Sequence, residues 1–182
     1  MKINQPIAHI RARWLKIPVH SHQYRAWLIE ANSLTARLQQ RYGNFFVQVV
    51  SVSKQNPSVE EAALLKIAER ETAQVREVLL YGNAKPVVFA HSVLPRRSLH
   101  GAWRGLGKLG NKPLGAILFA NPNVKRTPLS YKKLFAHHVL YQAAVTHLSE
   151  KPEYLWARRS IFSLHCAHIM VVEIFLPELI KS

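Results

Sequence analysis

The stretch Gln74-Val75-Arg76-Glu77-Val78-Leu79-Leu80-Tyr81 decides the fold, because it sets two charges inside an apolar run with the composition of a β-strand. Alternate side chains of a strand share a face, so Arg76 is expected on the face of Val78 and Glu77 on the opposite face. At least one charge therefore points toward a core. A guanidinium cannot shed its proton and is costly to bury unpaired, so Arg76 needs an internal carboxylate or an anionic ligand.

A second charge in an apolar run lies near the C-terminus. Glu173 is the only charged residue of Ile169-Met170-Val171-Val172-Glu173-Ile174-Phe175-Leu176. Two opposite charges on two buried strands form either a structural ion pair or part of a functional site, and these two residues alone leave both interpretations open.

Two adjacent arginines, Arg158 and Arg159, lie in a third apolar run. In a strand they point to opposite faces, so one of them meets either the covered side of the sheet or a pocket. Together with Arg76 and Glu173 they suggest a cavity that holds a carboxylate, a group for which the arginine fork is suited.

The charge balance also indicates an anionic partner. The chain has 25 Lys and Arg against 10 acidic residues, all of them glutamate, and a formal net charge of +15. No acid occurs from Val78 to Ser149. Such a field attracts nucleic acid, acidic lipid surfaces and small polyanions. The absence of aspartate argues against phosphoryl chemistry that relies on Asp to hold Mg²⁺.

Length and composition predict one domain over residues 1–182 with a sizeable core. No apolar run approaches the roughly 20 residues of a membrane helix, and the N-terminus lacks the build of a signal peptide, so we expect a cytoplasmic protein. The lone Cys166 fits a reducing compartment. No DNA-binding segment is expected ahead of Trp14.

Hydrophobic periodicity predicts strands that pair in hairpins with helices between them. The predicted strands are 45–52, 75–81, 86–94, 156–164 and 169–176. The predicted helices are 23–41, 57–69, 99–106, 113–119 and 134–148. Ser58 and Glu61 form a capping box at the start of the second helix. Without a βαβ rhythm, this order is typical of an α+β protein whose helices pack on an antiparallel β-sheet.

Three motifs leave other functions open. Residues 105–110 match GxGxxG, but the preceding strand and following acid of a dinucleotide site are missing, so a loop or flap is favoured. Histidine pairs invite a zinc-site hypothesis but lack the spacing of a structural zinc site. Basic residues beside aromatic ones, as in Trp103-Arg104 and Tyr131-Lys132-Lys133, suit a nucleic-acid surface, although no recognised motif supports it.

One set of motifs runs through most of the chain in order: Trp27-Leu28, Ser33-Leu34-Thr35, Arg76-Glu77-Val78-Leu79-Leu80, Val93-Leu94-Pro95, Leu109-Gly110-Asn111-Lys112-Pro113-Leu114-Gly115, Leu118-Phe119, Trp156-Ala157-Arg158-Arg159-Ser160 and Glu173-Ile174-Phe175-Leu176-Pro177. This ordered set resembles the chorismate pyruvate-lyase family. The resemblance implies a monomeric lyase without metal or organic cofactor. It would convert chorismate into 4-hydroxybenzoate and pyruvate, the first step of ubiquinone biosynthesis.

The resemblance also implies roles for individual residues. Arg76 would bind the ring carboxylate and Glu173 would meet the hydroxyl end of the ring, both as catalytic residues. Leu34 and Leu114 would line the substrate pocket, and flap-like loops over 105–115 would cover the buried ligand. The base stays open, as does a pericyclic route without one.

The second carboxylate of chorismate requires a second cation, for which Arg158 and Arg159 are the candidates. The basic surface leaves open a transient contact with a membrane or with a membrane-bound prenyltransferase. Two other functions remain: a non-enzymatic domain of the same fold that binds a small ligand, as in some transcription regulators, and a basic nucleic-acid-associated protein.

The sequence departs from the family pattern at several positions. Leu34 replaces a methionine, His91 and Ser92 replace an arginine and a threonine, and Val172 replaces a threonine. The segment from residue 121 to 154 is also longer and is expected to carry an extra helix. These differences concern the flaps and product affinity more than the reaction.

Overall fold

The structure, a computed structural model, describes residues 13–68 and 70–181. Its strands are β1 (Phe45–Gln55), β2 (Ala73–Gly82), β3 (Lys85–Pro95), β4 (Lys125–Arg126), β5 (Ser130–Leu134), β6 (Leu155–Leu164) and β7 (Ala167–Phe175). They form one antiparallel sheet in the order β1-β2-β3-β7-β6-β4, and β5 pairs with β6 as well. The predicted α+β class with an antiparallel sheet is confirmed.

Short helices connect the strands and cover both faces of the sheet. They are α1 (Arg25–Leu28), α2 (Leu34–Arg41), α3 (Val59–Leu65), α4 (Arg96–His100), α5 (Leu114–Ala120) and α6 (Val139–Val145), with 3-10 turns at His22–Tyr24, Leu106–Lys108 and Pro177–Ile180. Over the described residues, no helix has the length and apolar character needed to cross a bilayer.

Both predicted hairpins are confirmed. Strands β2 and β3 are joined by Asn83 and Ala84, which both adopt positive φ, as a tight two-residue hairpin turn requires. Strands β6 and β7 are joined at His165 and Cys166. The capping box is also confirmed, because Ser58 Oγ accepts from the amide of Glu61 and the Glu61 carboxylate accepts from the amide of Ser58.

The prediction of one helix over 23–41 is wrong. The chain leaves the helix after Leu28 and begins a new one at Leu34, where Ser33 is the N-cap and its hydroxyl accepts from the amide of Ala36. The apolar spacing continues across the break because both helices face the same core. The intervening loop also binds arginines, because the carbonyl of Glu30 accepts from buried Arg158 and that of Ala31 from partly buried Arg126.

Two other predicted helices are shorter than expected. Residues 130–134 form β5 instead of leading into a helix, because they pair with the first half of β6, and α6 covers only Val139–Val145. Helix α3 ends at Leu65, where Lys66 adopts the left-handed conformation. The predicted end of that helix at Glu69 lies outside the described residues.

The sheet separates two apolar layers, as the alternation in β2 predicts. Val75 and Leu79 belong to the back layer under α3 and α6, whereas Val78 and Leu80 belong to the front layer under α1 and α2. Residues 96–120 cover another part of the front face and contribute to a separate apolar cluster there. Arg76 therefore lies on the front face and Glu77 on the back face.

A buried histidine links α3 to the back of the sheet. His91 is 7% exposed, and its two ring nitrogens contact Glu61 Oε1 at 3.1 Å and Glu77 Oε1 at 3.2 Å. Burial alone lowers the pKa of His91, but the hydrogen bonds and charges of the two glutamates outweigh it and raise that pKa to about 9. Glu77, expected to be structural, has its partners here in His91 and Ser51.

The charged His91 makes stability depend on pH in a specific direction. Its pKa rises from 6.5 to about 9 on folding, so its contribution is fully present below pH 6.5 and is lost as the pH rises to about 9. We expect roughly 3 kcal/mol of pH-dependent unfolding free energy from this group at most. Urea unfolding of wild type and His91→Gln between pH 6.5 and about 9 measures this contribution. If the unfolding free energies of the two proteins changed with pH in parallel, His91 would not be the source of the pH dependence.

Candidate active site

A cavity lies on the front face of the sheet beneath two flaps, which we define as residues 25–41 (first flap) and 96–120 (second flap). The cavity is narrow, with a free volume of about 40 Å³. The apolar side chains that line it are Leu34, Val47, Val78, Leu80, Ala90, Pro113, Leu114, Leu118, Phe119, Phe162 and Val171. The polar ones are Thr35, Arg76, Ser92, Arg126 and Glu173. A few polar groups in an apolar cavity are the usual make-up of a small-molecule site.

The flaps meet over the cavity. Helices α2 and α5 pack against each other. A Cβ atom added to Gly115 would lie 3.1 Å from Thr35 Oγ1, so glycine allows the flaps this close approach. The glycines at 105 and 110 take positive φ in the second flap. Residues 105–110 thus form a covering loop, and they follow a helix and turn instead of a strand.

Arg76 is buried without a carboxylate. Its side chain is 2% exposed, and in the described chain its hydrogen bonds both run from Nη2, to the carbonyls of Gly110 at 2.9 Å and Lys112 at 3.2 Å. Its Nε is buried with no hydrogen-bond partner among those residues. Burial lowers the pKa of Arg76. A bound anion would supply the counter-charge that this buried guanidinium lacks among the described residues.

Glu173 lies on the same face, two strands away from Arg76. Arg76 pairs with Ser92 and Ser92 with Val171, so Glu173 is two strands across and two residues along. Strand spacing and rise place the two Cα atoms roughly 12 Å apart. The separation allows a ring with a polar group at each end to lie between the side chains.

Glu173 is held in place by an arginine from the next strand. Arg158 Nε donates to Glu173 Oε2 at 2.5 Å, across the register pair that joins β6 to β7. Arg158 is 0% exposed, and its Nη1 donates to carbonyls of the first flap, at Trp27, Leu28 and Glu30. In the described chain both ion pairs and the hydrogen bond of Glu173 use Oε2 and not Oε1.

The two candidates for a second carboxylate clamp are placed away from the cavity wall. Arg158 is bound to Glu173 and the first flap, as above. Arg159 lies on the back face, where Nη1 bonds Glu60 Oε1 at 2.6 Å and the guanidinium covers the ring of Trp14. Neither side chain lines the cavity described above.

Arg126 lines the cavity, and sequence reasoning missed it. Its Nε donates to Ser160 Oγ at 2.9 Å, and its Nη2 lies 3.9 Å from Glu173 Oε2. Burial lowers its pKa, although the charge of Glu173 acts in the opposite direction. In the sequence it was one of ten cations in the acid-free segment. It sits in a two-residue strand, which gives no periodic pattern to mark it.

The family model described as chorismate lyase matches residues 9–182. The chain belongs to the chorismate lyase family. The resemblance seen in the sequence is thereby confirmed. Over the described residues, no group of three or more histidine, cysteine or acidic side chains is placed to hold a metal ion.

Relatives within the chorismate lyase family span nearly the whole chain. A protein from Methylobacillus flagellatus named as a probable chorismate pyruvate-lyase is 45% identical over 172 residues, covering 94% of this chain and 97% of the relative. Proteins of the same name from Nitrosospira multiformis and Nitrosomonas europaea are 48% and 42% identical, covering 88% and 98% of this chain and 90% and 98% of their own.

Solved structures with a similar fold include domains of transcription regulators. The ligand-binding domain of a putative GntR-family regulator from Bordetella bronchiseptica has a TM-score of 0.57 at 17% identity, covering 75% of this chain and 86% of that one. PhnF from Mycobacterium smegmatis has a TM-score of 0.60 at 11% identity, covering 84% of this chain and 67% of that one. At these identities the likeness concerns the fold alone.

The neighbours Arg158 and Arg159 should differ sharply in their effect on stability. Arg158→Leu leaves Glu173 without its closest ion pair and removes the donor to three flap carbonyls, so we expect a loss of about 3–5 kcal/mol in unfolding free energy. Arg159→Leu breaks a pair with Glu60, which is 57% exposed, and should cost about 1 kcal/mol or less. Urea unfolding of both variants tests this, and equal losses would contradict the ion-pair assignment.

Proposed function

We propose that the protein is a chorismate pyruvate-lyase that converts chorismate into 4-hydroxybenzoate and pyruvate. Membership of the chorismate lyase family supports the reaction class. The observation that carries the proposal at the site is the guanidinium of Arg76, buried at the cavity wall with no carboxylate partner in the described chain. By the family resemblance, the protein would act as a cytoplasmic monomer at the first step of ubiquinone biosynthesis and need no cofactor.

The reaction places few demands on the protein. The bond between ring carbon C3 and the ether oxygen breaks, ring carbon C4 loses its proton, and the released enolpyruvate takes up a proton to become pyruvate. The ring becomes aromatic, which supplies the driving force. Catalysis can therefore come mainly from holding the substrate in a reactive pose within a dry cavity.

Each end of the ring has a suitable partner. Arg76 would bind the ring carboxylate through its unused N–H groups, and the apolar walls contributed by Leu34 and Leu114 would enclose the ring. Glu173 would accept from the ring hydroxyl with Oε1 while Arg158 holds Oε2. Placed beside C4, the same carboxylate can also take the proton that this carbon loses.

Incubating the purified protein with chorismate tests the proposal. We expect equal amounts of 4-hydroxybenzoate and pyruvate, measured by chromatography and by a coupled pyruvate assay. Arg76→Gln and Glu173→Gln should each lower kcat/KM by about 100-fold or more, the cost of losing a preorganised polar contact with the reacting molecule. Glu178→Gln, a surface carboxylate paired with Lys85, is the charge-matched control and should be unaffected.

Absence of both products from a folded wild-type protein would overturn the proposed reaction. A ligand-binding domain would instead bind chorismate or its product without turnover. Thermal unfolding of the variants with and without 4-hydroxybenzoate separates a lost contact from a lost fold. A site variant that is stable and fully active would remove that residue from its proposed role.

A further inference from the structure

The cavity carries more positive charge than its own residues neutralise. Glu173 is paired at 2.5 Å with Arg158, which leaves Arg76 and Arg126 at the cavity wall. Three arginines against one glutamate leave two positive charges. Glu30, whose charge also acts on Arg126, is itself paired with Arg37 at 3.2 Å. The excess matches a dianion better than a monoanion.

Contacts with neighbouring residues fix the position of the Arg126 side chain at the cavity wall. Its guanidinium carbon lies 5.3 Å from the ring centre of Phe119 and 5.1 Å from that of Phe162. Nε is bound to Ser160 Oγ and Nη1 to the carbonyl of Ala31 at 3.0 Å. In the described chain no hydrogen bond uses Nη2, whose nearest anion, Glu173, is beyond hydrogen-bond distance at 3.9 Å. Among the described residues, the ion-pair partner of Nη2 is thus a carboxylate oxygen that Arg158 already binds at 2.5 Å.

We propose that Arg126 binds the second carboxylate of the substrate, the one carried by the enolpyruvyl group. This inference rests on the proposed function and adds to it a residue that acts on the substrate and not on the aromatic product. The placement follows from the chemistry of the ring. The enolpyruvyl ether is attached next to the carbon that bears the hydroxyl, and Arg126 lies next to Glu173, which would meet that hydroxyl.

The proposal predicts a difference between substrate and product. Chorismate has two carboxylates and 4-hydroxybenzoate has one, so Arg126→Gln should lower kcat/KM for chorismate by about 10- to 100-fold, the effect of losing a charge-assisted hydrogen bond. Inhibition by 4-hydroxybenzoate should change little. Arg76→Gln should weaken both. Arg126→Lys, which keeps the charge, should recover part of the loss, and Lys125→Gln on the exposed neighbour should behave as wild type.

Binding without turnover gives a second measurement. We would compare 4-hydroxybenzoate with 4-hydroxy-3-(carboxymethoxy)benzoate, an aromatic analogue that adds a carboxylate beside the hydroxyl, by calorimetry. Wild type should bind the dicarboxylate more tightly relative to the monocarboxylate than Arg126→Gln does. Thermal unfolding confirms that each variant is folded.

The outcomes separate this inference from the proposed function. If wild type does not turn over chorismate, the proposed function fails, while the two-ligand comparison still tests Arg126. If wild type is active but Arg126→Gln retains wild-type kcat/KM and the same preference for the dicarboxylate, the inference is overturned. Equal weakening of substrate and product would also overturn it, because it would show that Arg126 acts only by holding the first flap through Ala31.

Discussion

The structure depends on a difference in charge balance between the two faces of one sheet. Strand periodicity sends Arg76 and Glu77 to opposite faces. The back face satisfies its charges internally, since Glu77 has His91 and Arg159 has Glu60. The front face does not, because Glu173, the carboxylate among the described cavity-lining residues, is taken by Arg158. Uncompensated positive charge at the cavity wall of the front face is the physical basis for the proposed anion site.

The two arginines that line the cavity, Arg76 and Arg126, also bind the flaps. Arg76 donates to the carbonyl of Gly110 in the second flap, and Arg126 donates to that of Ala31 in the first flap. Each guanidinium has five N–H groups, so the contacts with the flap would leave other nitrogens of the same side chain for a ligand. The flap carbonyls therefore fix the orientation of both guanidinium groups at the cavity wall, and their remaining N–H groups are positioned before any ligand binds. This preorganisation reduces the ordering cost of binding.

The sequence predicts secondary structure that depends on short-range periodicity. It does not predict side-chain contacts between residues that are distant in the chain. Strand β2 and its hairpin were predictable because alternation and turn chemistry are local. The break before Ser33 had a local signal, a capping residue ahead of Leu34, but the continuous apolar spacing hid it. Arg126 had no such signal, because its position depends on contacts with Ser160 and Glu173, which are distant in sequence. The different contacts of Arg158 and Arg159 likewise follow from the face of the sheet that each residue occupies.

The charge balance also bears on how product could leave an enclosed cavity. A dianionic substrate would match the two uncompensated cations, whereas the aromatic product would carry one carboxylate after pyruvate departs. Arg126 would then face only Glu173 at 3.9 Å, already shared with Arg158, so the cavity would again hold unbalanced positive charge. The product would thus be held mainly through Arg76, the residue that also bonds the second flap at Gly110 and Lys112. Opening that flap and releasing the ring carboxylate would disturb the same side chain, which couples the two steps.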